Sequence, residues 1–395
     1  MAKKSDGKQQ QDKKPKKNTG EVSELYVLLT ALRDGVIFAA DEDLNTVEDV
    51  QYRFKVVSRR EDEKSERFFL GDDGAVDIRV GSVLIDSVSH DDIVSDTEEV
   101  LEELKKGCIK GTLDFDTSKI EERYHLNSVS ADSSSKTDIV LEIIDPLSGR
   151  SRSRSFSIKS FMGRRPTLLN SSQSTNFIYR IKGELSDEDI EEINSMMTAE
   201  KKPRVDVTGR IQRLYEKGCD LTFEKAQNST FQGNLESVDS SLPRILGEML
   251  LAVFRYGKRT IPESTEYVTE LNPLQFGGSN RLYKIIICRL LMASFSGMVA
   301  DEVWNGSSSN DIQGGYIVVK KNGSVVCYYL DDHSKFEEYL FSRTYFETGS
   351  AKRHKYAVVD RDKKGLYIKL NVAIRMKEEG SKKAVKKKEV QTTLD

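Results

Sequence analysis

Asp138 and Lys159 are the residues from which chemistry can be read in this sequence. They stand on two β-forming runs. Asp138-Ile139-Val140-Leu141-Glu142-Ile143-Ile144 leads into the break Asp145-Pro146-Leu147-Ser148-Gly149, and Ser155-Phe156-Ser157-Ile158-Lys159-Ser160 follows. β-rich runs flanking a Pro/Gly/Ser break predict an antiparallel hairpin. Folded near Ser148-Gly149, it sets Asp138 roughly opposite Lys159. Strand side chains alternate between faces, so Ile139, Leu141, Ile143, Phe156 and Ile158 share the expected core face. Asp138, Val140, Ser157 and Lys159 share the other. An aspartate and a lysine at the open end of a buried hairpin suit metal-dependent phosphodiester hydrolysis. That reaction needs a hard cation to polarise a phosphoryl oxygen and acidify a water. Carboxylate oxygens hold magnesium, and a neighbouring lysine supports the nucleophile or the charged transition state. A hairpin ending in two solvated charges has the same spacing, and spacing alone favours that plainer reading.

The elements that must position this hairpin lie on both sides of it. Leu25, Leu28, Leu29 and Leu32 recur at helical spacing before Gly35, which predicts a helix with Glu21 and Glu24 on its first turn. Acids there also simply complement the helix dipole. Val50–Arg59, Glu66–Leu70 and Ala75–Val88 read as a meander. Ser95–Gly107 reads as a helix with a Ser95/Glu98 capping box and a solvated acidic face. Beyond Lys159, the polar stretch to Asn176 offers Arg164, Arg165, Asn170 and Asn176 as phosphate contacts. Helices are expected after Ser186, over Val207–Lys217 and Leu242–Tyr256, and over Arg281–Trp304. Gly314–Leu330 reads as two strands about Asn322-Gly323, with a short helix over Asp332–Phe341 and a strand over Leu366–Met376. Between them lies a donor-dense loop, Thr344–Lys355. Its Arg353, flanked by Lys352 and His354, suits base recognition in the major groove; a plain surface loop is equally open.

The fold class expected is α/β, a mixed sheet flanked by helices. The divisions are a disordered basic tail (1–19), a core with the hairpin (20–180), a mainly helical segment (181–310), a β-rich recognition portion (311–376) and a frayed charged tail (377–395). The chain has 395 residues, 37% hydrophobic and 32% charged, which predicts a globular protein. Its net charge of -3 argues only weakly against a nucleic-acid partner, because residues 1–19 hold seven Lys against two Asp. Such a tail either holds DNA loosely or serves solubility. Four scattered cysteines without a C-x-x-C pair speak against a zinc ribbon or disulfide framework. Four histidines show no H-E-x-x-H spacing, and no nucleotide-binding P-loop occurs. The apolar run Tyr283–Met298 is broken by Lys284, Arg289 and Ser294, so no membrane span is expected. Met1-Ala2-Lys3-Lys4 opens no secretion signal, and a cytoplasmic location is expected.

The order Asp, hairpin, Ser-Ile-Lys resembles the PD-(D/E)XK nuclease core, with Ser157 standing where the motif has its second acid. Further stretches resemble the HpaII-type restriction endonucleases. They are Gly20-Glu21-Val22-Ser23-Glu24-Leu25-Tyr26, Ala39-Ala40-Asp41-Glu42-Asp43-Leu44-Asn45, Phe156-Ser157-Ile158-Lys159-Ser160 and Thr167-Leu168-Leu169-Asn170 through Thr175-Asn176-Phe177-Ile178-Tyr179. Phe346-Glu347-Thr348-Gly349-Ser350 with Arg353-His354, and Lys369-Leu370-Asn371-Val372-Ala373-Ile374-Arg375, complete the series, in order from Glu21 to Met376. The resemblance implies a magnesium-dependent type II restriction endonuclease that cuts double-stranded DNA at a short palindrome such as CCGG. It implies Asp138 and the Ile158 backbone as metal ligands and Lys159 as the residue supporting the nucleophile and transition state. Nucleases with the serine variant take the missing acid from a nearby helix. No acid lies between Lys159 and Glu184, which points to Glu24 ahead of Glu21. Glu142 shares the face but lies about 13 Å along the strand from Asp138. A palindromic target implies a homodimer and a cytosine methyltransferase encoded nearby. Two rivals stay open: a non-catalytic DNA-binding protein on a decayed scaffold, and a nuclease for another nucleic acid.

Overall fold

The structure, a computed structural model, describes residues 18–59, 65–110, 113–126, 137–145, 148–162, 167–277, 281–306, 314–329 and 333–377. The chain divides into two compact units, 1–164 with 309–333, and 165–308 with 334–395.

Unit 1 begins with helix α1 (Thr19–Asp34). Asn18 caps it by accepting the Glu21 N–H at 3.0 Å, while the Glu21 carboxylate accepts the Asn18 N–H at 2.7 Å. Gly35, at φ 61°, ends it in the left-handed conformation that glycine adopts without strain. Strands β1 (Val36–Ala40), β2 (Thr46–Ser58), β3 (Glu66–Leu70), β4 (Val76–Val80) and β5 (Val83–Val88) precede helices α2 (His90–Lys110) and α3 (Ser118–Arg123). The hairpin β6 (Ile139–Ile144) and β7 (Ser151–Ser160) follows, and a later hairpin returns as β11 (Gly315–Val319) and β12 (Val325–Tyr329). The nine strands order as β1-β12-β11-β7-β6-β2-β3-β4-β5, and β1 also pairs with β2. Pairing is parallel for β1–β12 and β11–β7 and antiparallel elsewhere, as the expected mixed sheet requires. Leu25, Leu28, Leu29 and Leu32 of α1 are buried in one core with Ile139, Leu141, Phe156 and Ile158.

The central hairpin differs from expectation by two residues of register. Ile139 pairs with Phe156 and Ile144 with Ser151, so Asp138 falls beside Ser157 instead of Lys159. The turn is the cause. The Asp145 N–H donates to the Arg150 carbonyl at 2.9 Å, and the Gly149 N–H to the Asp145 carbonyl at 2.8 Å. A shift of two preserves the faces, because strand side chains repeat every two residues. Helix α2 also starts earlier than expected. The Ser89 hydroxyl accepts the Asp92 N–H at 3.2 Å, leaving Ser95 inside the helix. Ile93 then reaches the core, and Asp96 is buried against Arg123 at 2.8 Å instead of facing solvent.

Unit 2 comprises β8 (Thr167–Leu169), β9 (Asn176–Lys182), α4 (Asp187–Ser195), α5 (Val207–Glu216), β10 (Asp220–Ala226), α6 (Ser229–Val238), α7 (Leu242–Tyr256), α8 (Ile261–Leu271) and α9 (Arg281–Phe295). Then come α10 (His333–Arg343), β13 (Thr344–Phe346), α11 (Ala351–His354), β14 (Asp360–Asp362), β15 (Gly365–Asn371) and β16 (Ile374–Met376). They build the sheets β10-β9-β15-β14 and β13-β16-β8. Helix α7 closes on β10, where Gly247 faces the Phe223 ring; a Cβ there would come within 2.6 Å of it. Helix α9 ends before Trp304 because Gly297 turns the chain at φ 98°. Among the described residues Cys219, Cys288 and Cys327 are buried, and no helix is long and apolar enough to cross a membrane.

Candidate active site

Unit 1 brings together the acids and cations singled out on the hairpin and on α1. Asp138 enters β6 with its N–H donating to the Phe156 carbonyl at 3.0 Å. Its Oδ2 accepts the Ile158 N–H at 2.6 Å and the Ser157 hydroxyl at 3.1 Å. Both bonds fall on the same oxygen, leaving Oδ1 outside them. Ser157 therefore orients the first acid, although it cannot replace the second.

Helix α1 meets the end of β7 next to this group. The Ser23 hydroxyl donates to Ser160 Oγ at 2.8 Å, and the Tyr26 hydroxyl to the Gly323 carbonyl at 2.7 Å. Between these anchors stands Glu24, whose carboxylate acts electrostatically on Lys159 and lies 4.0 Å from the Arg59 guanidinium. Glu21 is engaged in the cap of α1, and Glu142 is ion-paired with Arg67. Glu24 is thus the described acid that shares this group with Asp138 and Lys159.

Burial governs the electrostatics. It pushes the Asp138 carboxyl above its ordinary value, opposed by the Ile158 N–H, Lys159, the Ser157 hydroxyl and Arg59. It pushes the Lys159 ammonium below its ordinary value, opposed by Asp138 and Glu24. Arg59, just beyond β2, was not anticipated from the sequence. It closes the alternating run Val50–Arg59, but nothing in that run shows which strand it will pair with. The structure pairs Ser58 with Val140.

Among the described residues no group of three or more His, Cys, Asp and Glu side chains could hold a metal. Asp138 and Glu24 are the two acids whose charge reaches Lys159. Two carboxylates suit a hard divalent ion, since magnesium keeps several waters and binds through one or two carboxylates.

The residues expected at DNA divide by location. Arg164 and Arg165 lie outside the described residues. Asn170 is exposed after β8. Asn176 is fully buried; its amide donates to the His354 carbonyl at 2.9 Å and its Oδ1 accepts from Asn371 at 2.8 Å. It therefore supports the 351–354 turn from beneath and cannot present its side chain outward. Lys352 and Arg353 are exposed on that turn. Burial and Arg353 hold His354 below its usual value, which favours its uncharged form.

The family profile of the HpaII restriction endonuclease matches residues 18–376, a span that includes α1, the hairpin and the 351–354 turn. The chain belongs to the HpaII restriction endonuclease family. It is similar to the type II restriction enzyme HpaII of Haemophilus parainfluenzae, with 32% identity over 367 residues, covering 91% of this chain and 98% of that enzyme. No solved structure matches it. The HpaII-family chain is a type II site-specific deoxyribonuclease with DNA as its substrate. The non-catalytic reading left open by Ser157 is set aside. Restriction endonucleases generally use a divalent metal, and the oxygen donors of Asp138 and Glu24 suit one.

Proposed function

We propose that this HpaII-family endonuclease hydrolyses double-stranded DNA at CCGG, with magnesium held by Asp138, Glu24 and the Ile158 carbonyl. The observation that carries the reading is Lys159, partly buried and under the pull of two carboxylates from separate elements, the start of β6 and α1. When bound, the cation polarises a phosphoryl oxygen and acidifies a water. Asp138 is held in place for this by the Ile158 N–H and the Ser157 hydroxyl. Lys159 faces the charge that develops on the phosphoryl group, and burial eases loss of its own proton. Arg59 lies 4.0 Å from the Glu24 carboxylate.

Arg353, with His354 beside it, reads base edges, while Asn170, Arg164 and Arg165 grip phosphates. Asn176 serves from the interior as a support. A palindromic site favours a two-fold dimer, and the host requires a methyltransferase for the same sequence. Both act in the cytoplasm. Digestion of unmethylated phage DNA with magnesium, followed by mapping of fragment ends, tests this reading. Ends at CCGG that disappear after chelation and return with magnesium are expected. Ends at another sequence, or cutting that survives chelation, would overturn the target or the metal.

A further inference from the structure

Unit 2 has a cleft of about 520 Å³ whose lining includes Met197, Val205 and Val207. Three basic segments far apart in sequence converge on it: Lys201-Lys202-Pro203-Arg204, Lys258-Arg259 and Lys352-Arg353. Each contributes a cation to the lining, namely Arg204, Arg259 and Lys352. The one acid in the lining, Asp206, accepts the Gly209 N–H at 2.9 Å, and Arg204 is paired with Glu200 at 2.8 Å. Arg259 and Lys352 remain as lining cations without an acid partner among the residues of the lining, and both are exposed.

The wall that carries them is firmly built. Arg259 donates to Thr348 Oγ1 at 2.8 Å, and its carbonyl accepts the Phe346 N–H at 2.8 Å. The Tyr356 hydroxyl donates to the Gly349 carbonyl at 2.7 Å. Gly349 lies so close to Ser171 that a Cβ would collide with its hydroxyl. A chain of net charge -3 thus concentrates basic side chains from remote segments on one rigid concavity, the electrostatic footprint of a polyanion site.

We propose that this cleft is a backbone site for the DNA substrate, with one phosphodiester group lodged between Arg259 and Lys352. It rests on DNA being the substrate and does not depend on the proposed catalytic roles. Phosphate contacts fix position and carry no sequence information, and each one adds about one unit to the salt slope of binding.

The test is fluorescence anisotropy of the full chain, without metal, on one duplex containing CCGG and one with that site scrambled, across a salt series. Arg259→Ala and Lys352→Ala are each expected to weaken binding about tenfold on both duplexes and to lower the salt slope by about one. Arg259→Lys should recover most of the loss. Affinity and slope equal to those of the wild type would overturn the proposal. So would a loss confined to the CCGG duplex, which would make the cleft a base reader. Because no cleavage is measured, failure of the catalytic reading leaves this outcome unchanged.

Discussion

At Lys159 burial and charge oppose one another, and burial prevails. Its folded pKa lies below 10.5, so between those two values the unfolded chain binds more protons and stability rises with pH. At neutral pH the charged lysine therefore works against folding. Lys159→Met should leave Tm at pH 7 equal to or above that of the wild type while cutting the single-turnover rate by about 10²–10³. A large loss of Tm would show that Lys159 acts as a structural ion pair. Asp138 mirrors this behaviour, because its raised value lets protons compete with a cation on the acid side. Ser157→Ala removes a donor that lowers that value. The acid limb of the pH–rate profile should move to higher pH, and an unmoved limb would remove Ser157 from this role. Asp138 and Lys159 were legible because a local turn joins them. Arg59 was not, because its place depends on the pairing of β2 with β6, which no local signal specifies.

Among the elements, the β11–β12 hairpin shows how one backbone position sets a strand. Gly315 adopts φ 113°, and a Cβ there would lie 2.1 Å from the Tyr328 carbonyl oxygen. Gly315 pairs with Phe156, one residue before Ser157. Gly315→Ala should cost more than about 2 kcal/mol in urea denaturation and lower activity with it; a near-neutral change would contradict the strain. Asn371 makes the corresponding case in unit 2. Its buried amide donates to the Ser172 carbonyl, Thr175 Oγ1 and Asn176 Oδ1 at 2.7–3.1 Å. Asn371→Ala should cost about 2–3 kcal/mol, since it strands buried partners, and thermal denaturation would reveal it. The β11–β12 hairpin was readable from Asn322-Gly323, and α7 from its apolar run with Pro243 in the first turn. Helix α8 was overlooked although Thr260 and Glu263 form a capping box. Strand β10 was hidden by its charged residues and by a bulge between Phe223 and Lys225.

At the scale of the whole molecule, the sequence order of elements does not follow their grouping. Strands β11 and β12 belong to the sheet of unit 1, although about 150 residues of unit 2 separate them from β7. Only long-range pairing decides that, and periodicity reports faces without naming partners. The two-fold dimer proposed for a palindromic site belongs to this scale too. Sedimentation of the metal-free protein with a CCGG duplex should give two chains per duplex. One chain per duplex at saturation would contradict the dimer.

The central claim is that Asp138, Glu24 and Lys159 form one catalytic group. Single-turnover cleavage of one pre-bound CCGG duplex tests it most directly, comparing the wild type with Asp138→Asn, Glu24→Gln and Lys159→Met at equal DNA occupancy. All three variants should lose at least about 10² in rate while binding DNA like the wild type in calcium. A variant that cleaves at the wild-type rate would remove its residue from the group, and survival of Asp138→Asn would contradict the account as a whole.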